Sequence, residues 1–234
     1  MSTDVLRFRN TSKVYALARQ SVAALTDVTV SVGRGEFVAL VGRSGCGKTT
    51  FLNLAGALDV PSGGDVLIDG LSTVSLDDAQ LTQVRRQRVG FVFQFFRLFP
   101  TLSAVENVEV PLQLAGLPGS RARARDLLDL VGMADLGERI PYQLSGGQMQ
   151  RVAIARALGP SPSMLLADEP TGNLDSETAR TIMDLFRRVN IEFGTTVIMA
   201  THSMANASRA ERVIALNDGR LASDESRNPE APVG

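Results

Sequence analysis

The 234-residue chain has no tryptophan, one cysteine, one histidine and only two lysines among its 24 basic residues. The lone thiol, Cys46, excludes an intrachain disulfide and suits a reducing compartment. No apolar run approaches the ~20 residues a membrane-spanning helix requires, and no signal-peptide pattern opens the chain. A location in the cytoplasm is therefore expected. Net charge is −1, so no electrostatic excess favours nucleic acid, and none is expected as a partner. Aromatic residues make up only 5% of the chain. The cluster Phe95, Phe96 and Phe99 therefore stands out, either as internal packing or as a surface for a partner.

What is present centres on residues 38–50. An apolar, β-branched run ends at Gly42, and a helix-compatible run starts at Thr49. Between them lies Gly42-Arg43-Ser44-Gly45-Cys46-Gly47-Lys48-Thr49, the spacing of a phosphate-binding loop. Gly42, Gly45 and Gly47 let backbone N–H groups curl toward phosphate oxygens, and the following helix adds its positive end. Lys48 brings a compact charge, and the Thr49 hydroxyl can ligate Mg²⁺. Arginine accounts for every other basic residue except Lys13. A lysine is thus kept where a planar guanidinium would fit differently. Cys46 reads as a small filler within the loop.

Along the rest of the chain, 4–10 and 26–32 read as strands. Gly33-Arg34-Gly35 suggests a hairpin into Phe37–Val41, and residues 65–69 form another short strand. Together these predict an antiparallel flap on a parallel core. Tyr15 offers a ring face to a flat base, or is an ordinary tyrosine. Residues 76–88 predict a helix and 90–93 a buried strand closed by Gln94. Ser103 and Glu106 match a capping box. Ser120 is expected to cap a helix whose Arg121, Arg123 and Arg125 form a wet face, ended by Gly132. Leu144-Ser145-Gly146-Gly147-Gln148 opens the next helix with a hydroxyl and free amides, a second anion site. Residues 164–167 form a buried strand ending in Asp168 and Glu169, one suited to Mg²⁺ and the other to an attacking water. Residues 178–193 are amphipathic. The strand 195–201 ends at His202, and 213–222 finishes in a hairpin.

Four expected core strands thus end at Gly42, Gln94, Asp168-Glu169 and His202. Open α/β sheets bind ligands outside the carboxyl ends of their strands.

With these motifs the chain resembles the nucleotide-binding subunits of ATP-binding-cassette (ABC) transporters. The likeness runs from the phosphate loop through the glutamine loop at Gln94 and the signature at 144–148. It continues through the acidic strand end at Asp168-Glu169 and Asn173-Leu174-Asp175 to the histidine at 202. Residues 93–102, 106–108 and 167–175 look most similar to the MacB/LolD/FtsE group, although Ser203 stands where that group often has an acid. The resemblance implies an α/β P-loop NTPase (RecA-like) core with an antiparallel β subdomain and an inserted α-helical subdomain. Within one domain, 1–94 and 161–222 would form the core, 95–160 the helical part and 223–234 a flexible tail. It implies ATP held by Gly42, Ser44, Gly45, Cys46, Gly47, Lys48, Thr49 and Thr50, with Tyr15 on the adenine. Thr49, Gln94 and Asp168 would organise Mg²⁺, Glu169 would polarise water, and His202 would contact the γ-phosphate. Ser145, Gly146, Gly147, Gln148 and Asp175 would close the site from a second subunit. The implied partners are that subunit and an integral membrane permease, at the cytoplasmic side of the inner or plasma membrane. Chromosome and DNA-repair ATPases insert a long coiled coil between these motifs, and this chain has no room for one.

Overall fold

Side-chain alternation splits a central sheet between two cores. The computed structural model describes residues 4–17 and 20–226. Strands β1 (Asp4–Leu17), β2 (Gln20–Gly33), β4 (Gly63–Ile68) and β5 (Leu71–Ser72) form an antiparallel sheet in the order β2-β1-β4-β5. A second, six-stranded sheet runs β10-β9-β3-β8-β7-β6. Its members are β3 (Phe37–Val41), β6 (Val89–Phe93), β7 (Met164–Asp168), β8 (Thr196–Thr201), β9 (Arg212–Asn217) and β10 (Arg220–Ser226). All neighbours in it are parallel except β9 and β10.

Successive residues of a strand point to opposite faces. In β3, Phe37 and Ala39 join one apolar cluster, while Val38 and Leu40 join the other. Leu165 and Leu166 of β7 divide in the same way. A sheet covered on both faces needs uninterrupted apolar strands, and all six residues of β8 are buried. One face is covered by α3 (Ala104–Leu114), α4 (Ser120–Leu130), α5 (Gly146–Leu158) and α6 (Ser176–Phe193). The other face is covered by α1 (Lys48–Ala55), α2 (Asp78–Arg88) and the antiparallel sheet. Phe8 of β1 stacks on Phe51 of α1 with centroids 4.2 Å apart, joining that sheet to the helix behind the phosphate loop. No described helix is long and apolar enough to cross a membrane.

Local chemistry sets the helix starts. Asp77 with Gln80 caps α2, and Ser103 with Glu106 caps α3, each as a reciprocal pair. Asp175 caps α6 by accepting from the amides of Glu177 and Thr178.

Four expectations need correction. Gly33-Arg34-Gly35 does not make a hairpin: β2 stays in the antiparallel sheet, while β3 crosses to the centre of the parallel one between β8 and β9. Ser120 does not cap α4; Gly119 occupies that position at φ +68°, and the Ser120 hydroxyl donates to Glu109. The arginines of α4 are not merely solvated. Arg121 pairs with Glu109 and Glu138, and Arg123 donates to Gly159 O and Ser161 Oγ. Residues 223–226, expected in a flexible tail, belong to β10, and Asp224 binds Arg212 at 2.6 Å. Residues 227–234 of that tail lie outside the described residues.

Candidate functional site

The parallel strands β3, β8, β7 and β6 lie side by side, so their carboxyl ends open onto one edge. There a cavity of about 480 Å³ is lined by Ser44, Gly45, Gly47, Lys48, Thr49, Thr50, Gln94, Asp168, Glu169 and His202. Residues from four separate stretches of sequence thus meet at one place, as the strand-end pattern predicts. Val22, Ala23 and Ala24 of β2 complete the wall. Nothing in the sequence singles out these three, because a strand edge of small and branched residues carries no motif.

The loop itself is built for an anion. Helix α1 starts at Gly47, at φ +105°, with no side-chain cap, unlike α2, α3, α5 and α6. Its first-turn amides are therefore left for another acceptor. A Cβ on Gly45, at φ +80°, would meet nothing within 4 Å, so that backbone is open to a close ligand. Gly42 is glycine for a different reason. A Cβ there would fall 2.4 Å from Leu216 O and 2.5 Å from Cys46 Sγ. Neither Gly42 nor Cys46 lines the cavity, and Cys46 is buried behind the loop at 4% exposure. Lys48 Nζ donates to Gly42 O at 2.8 Å and Arg43 O at 3.1 Å, which holds the ammonium over the loop.

On the wall where the start of α1 meets the end of β7, Thr49 Oγ1 donates to Asp168 Oδ2 at 3.3 Å. Burial raises the Asp168 carboxyl above its ordinary value; the Thr49 hydroxyl opposes this and neighbouring Glu169 adds to it. Glu169 is a non-glycine residue at φ +47°. Such a conformation costs about 1–3 kcal/mol and persists only where its surroundings over-determine it. Here they do. The Glu169 amide donates to Ala200 O at 3.0 Å, Oε2 accepts from the His202 amide at 3.4 Å, and Oε1 lies 2.9 Å from His202 Nδ1. The only histidine thus orients the only acid with a left-handed backbone on this wall. Gln94 is held through Asn173: its Nε2 donates to Asn173 Oδ1 at 3.3 Å, and Asn173 Nδ2 returns to Gln94 O at 3.1 Å.

Tyr15 does not line this cavity. Its hydroxyl donates to Asp59 Oδ2 at 3.0 Å, and Lys13 Nζ lies 5.0 Å from its ring centroid. Lys13 also binds Asp59 Oδ1 at 2.5 Å and Val60 O at 2.8 Å. Both lysines therefore serve main-chain carbonyls, and Lys13 pairs with a carboxylate as well.

Ser145, Gly147 and Gln148 line a different cavity of about 310 Å³ that shares no residue with the first. Ser145 Oγ accepts from Gln148 N, and Gln148 Oε1 accepts from Ser145 N at 2.9 Å. The glycines after it answer a packing need rather than a need for flexibility. A Cβ on Gly147 would lie 2.4 Å from Thr178 Cγ2 of α6. Asp175 sits in the same region as the cap of α6, its carboxyl held below its ordinary value by bonds from Thr178. Gly147→Ala is expected to lower stability by about 1–3 kcal/mol through overpacking. Adding Thr178→Ser removes the opposing methyl and keeps the bond to Asp175, so it should restore most of the loss in thermal melts. Equal melting of Gly147→Ala and wild type would contradict this contact.

The geometry is a phosphate cradle facing an oriented carboxylate, and comparison with known proteins agrees. The ABC transporter family pattern matches residues 25–172. An uncharacterised ABC transporter ATP-binding protein of Methanocaldococcus jannaschii, MJ0796, is 46% identical over 94% of this chain and 97% of its own. The lipoprotein-releasing system ATP-binding protein LolD of Bordetella pertussis is 46% identical over 94% of this chain and 96% of its own. The macrolide export ATP-binding/permease protein MacB of Aggregatibacter actinomycetemcomitans is 41% identical over 96% of this chain but 35% of its own. The dimeric post-hydrolysis structure of MJ0796 bound to ADP and Pi superposes with a TM-score of 0.88 at 43% identity. It covers 95% of this chain and 99% of that one. Fold, strand-end chemistry and overall likeness therefore converge on an ATP-hydrolysing P-loop cassette, and the chain belongs to the ABC transporter family.

Proposed function

We propose that the protein is a Mg²⁺-dependent ATPase subunit that works as a homodimer and drives a separate integral membrane partner. It would sit at the cytoplasmic side of the inner or plasma membrane, held there by that partner. The reaction class is export or extraction of a lipoprotein, peptide or drug, as the names of LolD and MacB suggest.

The residues suit the metal. A threonine hydroxyl and a carboxylate 3.3 Å apart, with an amide oxygen available from Gln94 on the same wall, are hard oxygen donors for a small dication. Bound there, Mg²⁺ would neutralise charge on the terminal phosphates. The chain's own work is then positional. Lys48 and the α1 amides hold phosphate oxygens, Glu169 accepts the proton of the attacking water, and His202 keeps Glu169 in place. Signature residues that line a separate cavity support a composite site, in which Ser145 to Gln148 and Asp175 of one subunit close over the phosphate loop of the other. Tyr15 remains our candidate for the adenine face.

One observation carries the membrane coupling. Phe95 is 72% and Phe99 48% exposed directly after Gln94. Phe99 borders a groove of about 290 Å³ whose wall sets Phe91, Pro111 and Leu114 beside Arg85, Arg86 and Arg156, on a chain with no described helix able to span a bilayer. The two readings of the aromatic cluster thus divide between its members. Leu98 packs against the core and Phe96 is half-buried, whereas Phe95 and Phe99 are exposed. The double variant Phe95→Ala/Phe99→Ala is expected to weaken capture of the membrane partner roughly tenfold or more while basal ATPase persists. Affinity purification in mild detergent, with identification of the co-purifying membrane protein, tests this. Unchanged capture would assign these aromatics another role. Reconstitution of the identified pair in vesicles tests the cargo, and ATP turnover without cargo movement would mark a signalling ATPase instead.

A further inference from the structure

Helix α5 carries a cation where charge is costly. Arg156, in its last turn, is partly buried, and burial pulls its guanidinium down to about 10. No carboxylate pairs with it among the described residues. Its donors go to main chain instead: Nη1 to Arg97 O at 2.6 Å and Nη2 to Phe96 O at 2.9 Å. The planar fork presents two separate donor nitrogens at a fixed spacing, one for each carbonyl.

The residues it grips are unusual. Phe96 and Arg97 have φ of +57° and +49°, two consecutive side-chain-bearing residues in the left-handed region. The Arg97 amide donates to Phe95 O at 2.5 Å, closing a three-residue turn about Phe96. Turns of this hand at a non-glycine centre are rare and strained, and such strain persists only where neighbours enforce it. The neighbours here are few. Arg97 lays its guanidinium over the Phe93 ring, 4.4 Å from the centroid. The Phe96 ring reaches the start of α5, where a Cβ on Gly146 would lie 3.7 Å from Phe96 Cζ. Arg156 supplies the bonds at the other end of the same helix. Two residues upstream of Phe96, Gln94 stands on the wall of the phosphate cavity.

We propose that Arg156 is a positioning residue for ATP hydrolysis: by clamping the carbonyls of Phe96 and Arg97 it holds the strained turn that places Gln94 at the phosphate cavity. The strained turn stores no function by itself; its value is that a side chain remote from the nucleotide fixes the chain just after Gln94, while Asn173 holds Gln94 itself. Because both ends of α5 touch the turn, displacement of that helix is passed to Gln94 without contact between them. This inference rests on the reading of Gln94 as a group that acts at the bound nucleotide.

Hydrogen–deuterium exchange on the full chain reads the clamp directly. In Arg156→Met, amides 96–98 should exchange roughly ten- to a hundredfold faster, with amides in the middle of α5 unchanged. Arg156→Lys keeps the charge but not the fork, and should restore part of the protection; it carries the test if the methionine variant fails to fold. In steady-state assays kcat should fall about tenfold while KM for ATP stays near wild type, because Arg156 does not line the nucleotide cavity. Unchanged exchange at 96–98 in a variant that melts like wild type would overturn the proposal, as would KM rising in step with the loss of kcat. Gln94→Ala is assayed alongside. Wild-type turnover there would dispose of the role given to Gln94, while the exchange result would still stand or fall on Arg156.

Discussion

Glu169→Gln is expected to lower the turnover number about 10²–10⁴-fold while leaving ATP affinity close to wild type. The substitution keeps the shape of the side chain and an oxygen able to accept from His202. What it removes is the capacity to take a proton from water. The left-handed backbone at this position is also retained, because the Glu169 amide donates to Ala200 O and its carbonyl accepts from the Gly172 amide, bonds in which the carboxylate has no part. The ground state therefore survives and the transition state suffers, so kcat and kcat/KM should fall together with little change in binding. If closure around ATP precedes hydrolysis, the variant should also accumulate as an ATP-loaded dimer in size-exclusion chromatography. Wild-type turnover in this variant would remove Glu169 from the role assigned to it. A monomer with full activity would contradict the composite site.

Lys48→Ala should abolish useful nucleotide binding, with affinity for ATP lowered by about a hundredfold or more. Two bonds from a charged group each contribute on the order of 1.5–3 kcal/mol, and Lys48 already holds two such bonds to Gly42 O and Arg43 O. That places a cation among loop carbonyls and a helix start that would otherwise present only partial charges. Lys48→Arg is the more telling variant in a chain that uses arginine almost everywhere else. A guanidinium carries the same charge but is broad, planar and weakly hydrated. It cannot satisfy two adjacent carbonyls and a phosphate from one compact centre. Its affinity should therefore lie near that of the alanine variant. Calorimetric titration with ATP distinguishes the outcomes, with melting curves to show that both variants fold. Near-native binding by the arginine variant would reduce the lysine to a simple counter-charge.

How much of this was legible beforehand depended on how far apart the decisive partners lie. The phosphate loop, the capping pair at Ser103 and the acids at the end of β7 depend on residues within a few positions of one another. Their spacing carries the chemistry. The convergence of four strand ends was also readable, because parallel strands put their carboxyl ends on one edge whatever their order. The mistaken hairpin after β2 shows the limit. Alternation identifies a strand but not its neighbour, and the partners of β3 lie more than 150 residues further on in β8 and β9. The arginines of α4 looked solvated because Gly159 and Ser161, which Arg123 meets, stand 36 and 38 positions away. Gly147 looked like part of an anion site for the same reason; the methyl that demands a glycine belongs to Thr178 on another helix. Tyr15 could be proposed as a base-stacking residue from its type alone. Its tether to Asp59 needed the fold.

The burial of Cys46 gives the protein an internal clock. Its thiol faces Gly42 behind the phosphate loop, inside the core that also holds Phe51 and Leu216, and it is the only thiol in the chain. A thiol reagent can reach it only while the loop is displaced, so the alkylation rate reports the fraction of time that the loop spends open. A ligand that binds only the closed loop must slow that rate in proportion to its occupancy. Loss of a single chemical reactivity, followed by mass alone, thus gives nucleotide affinity and loop motion without any label.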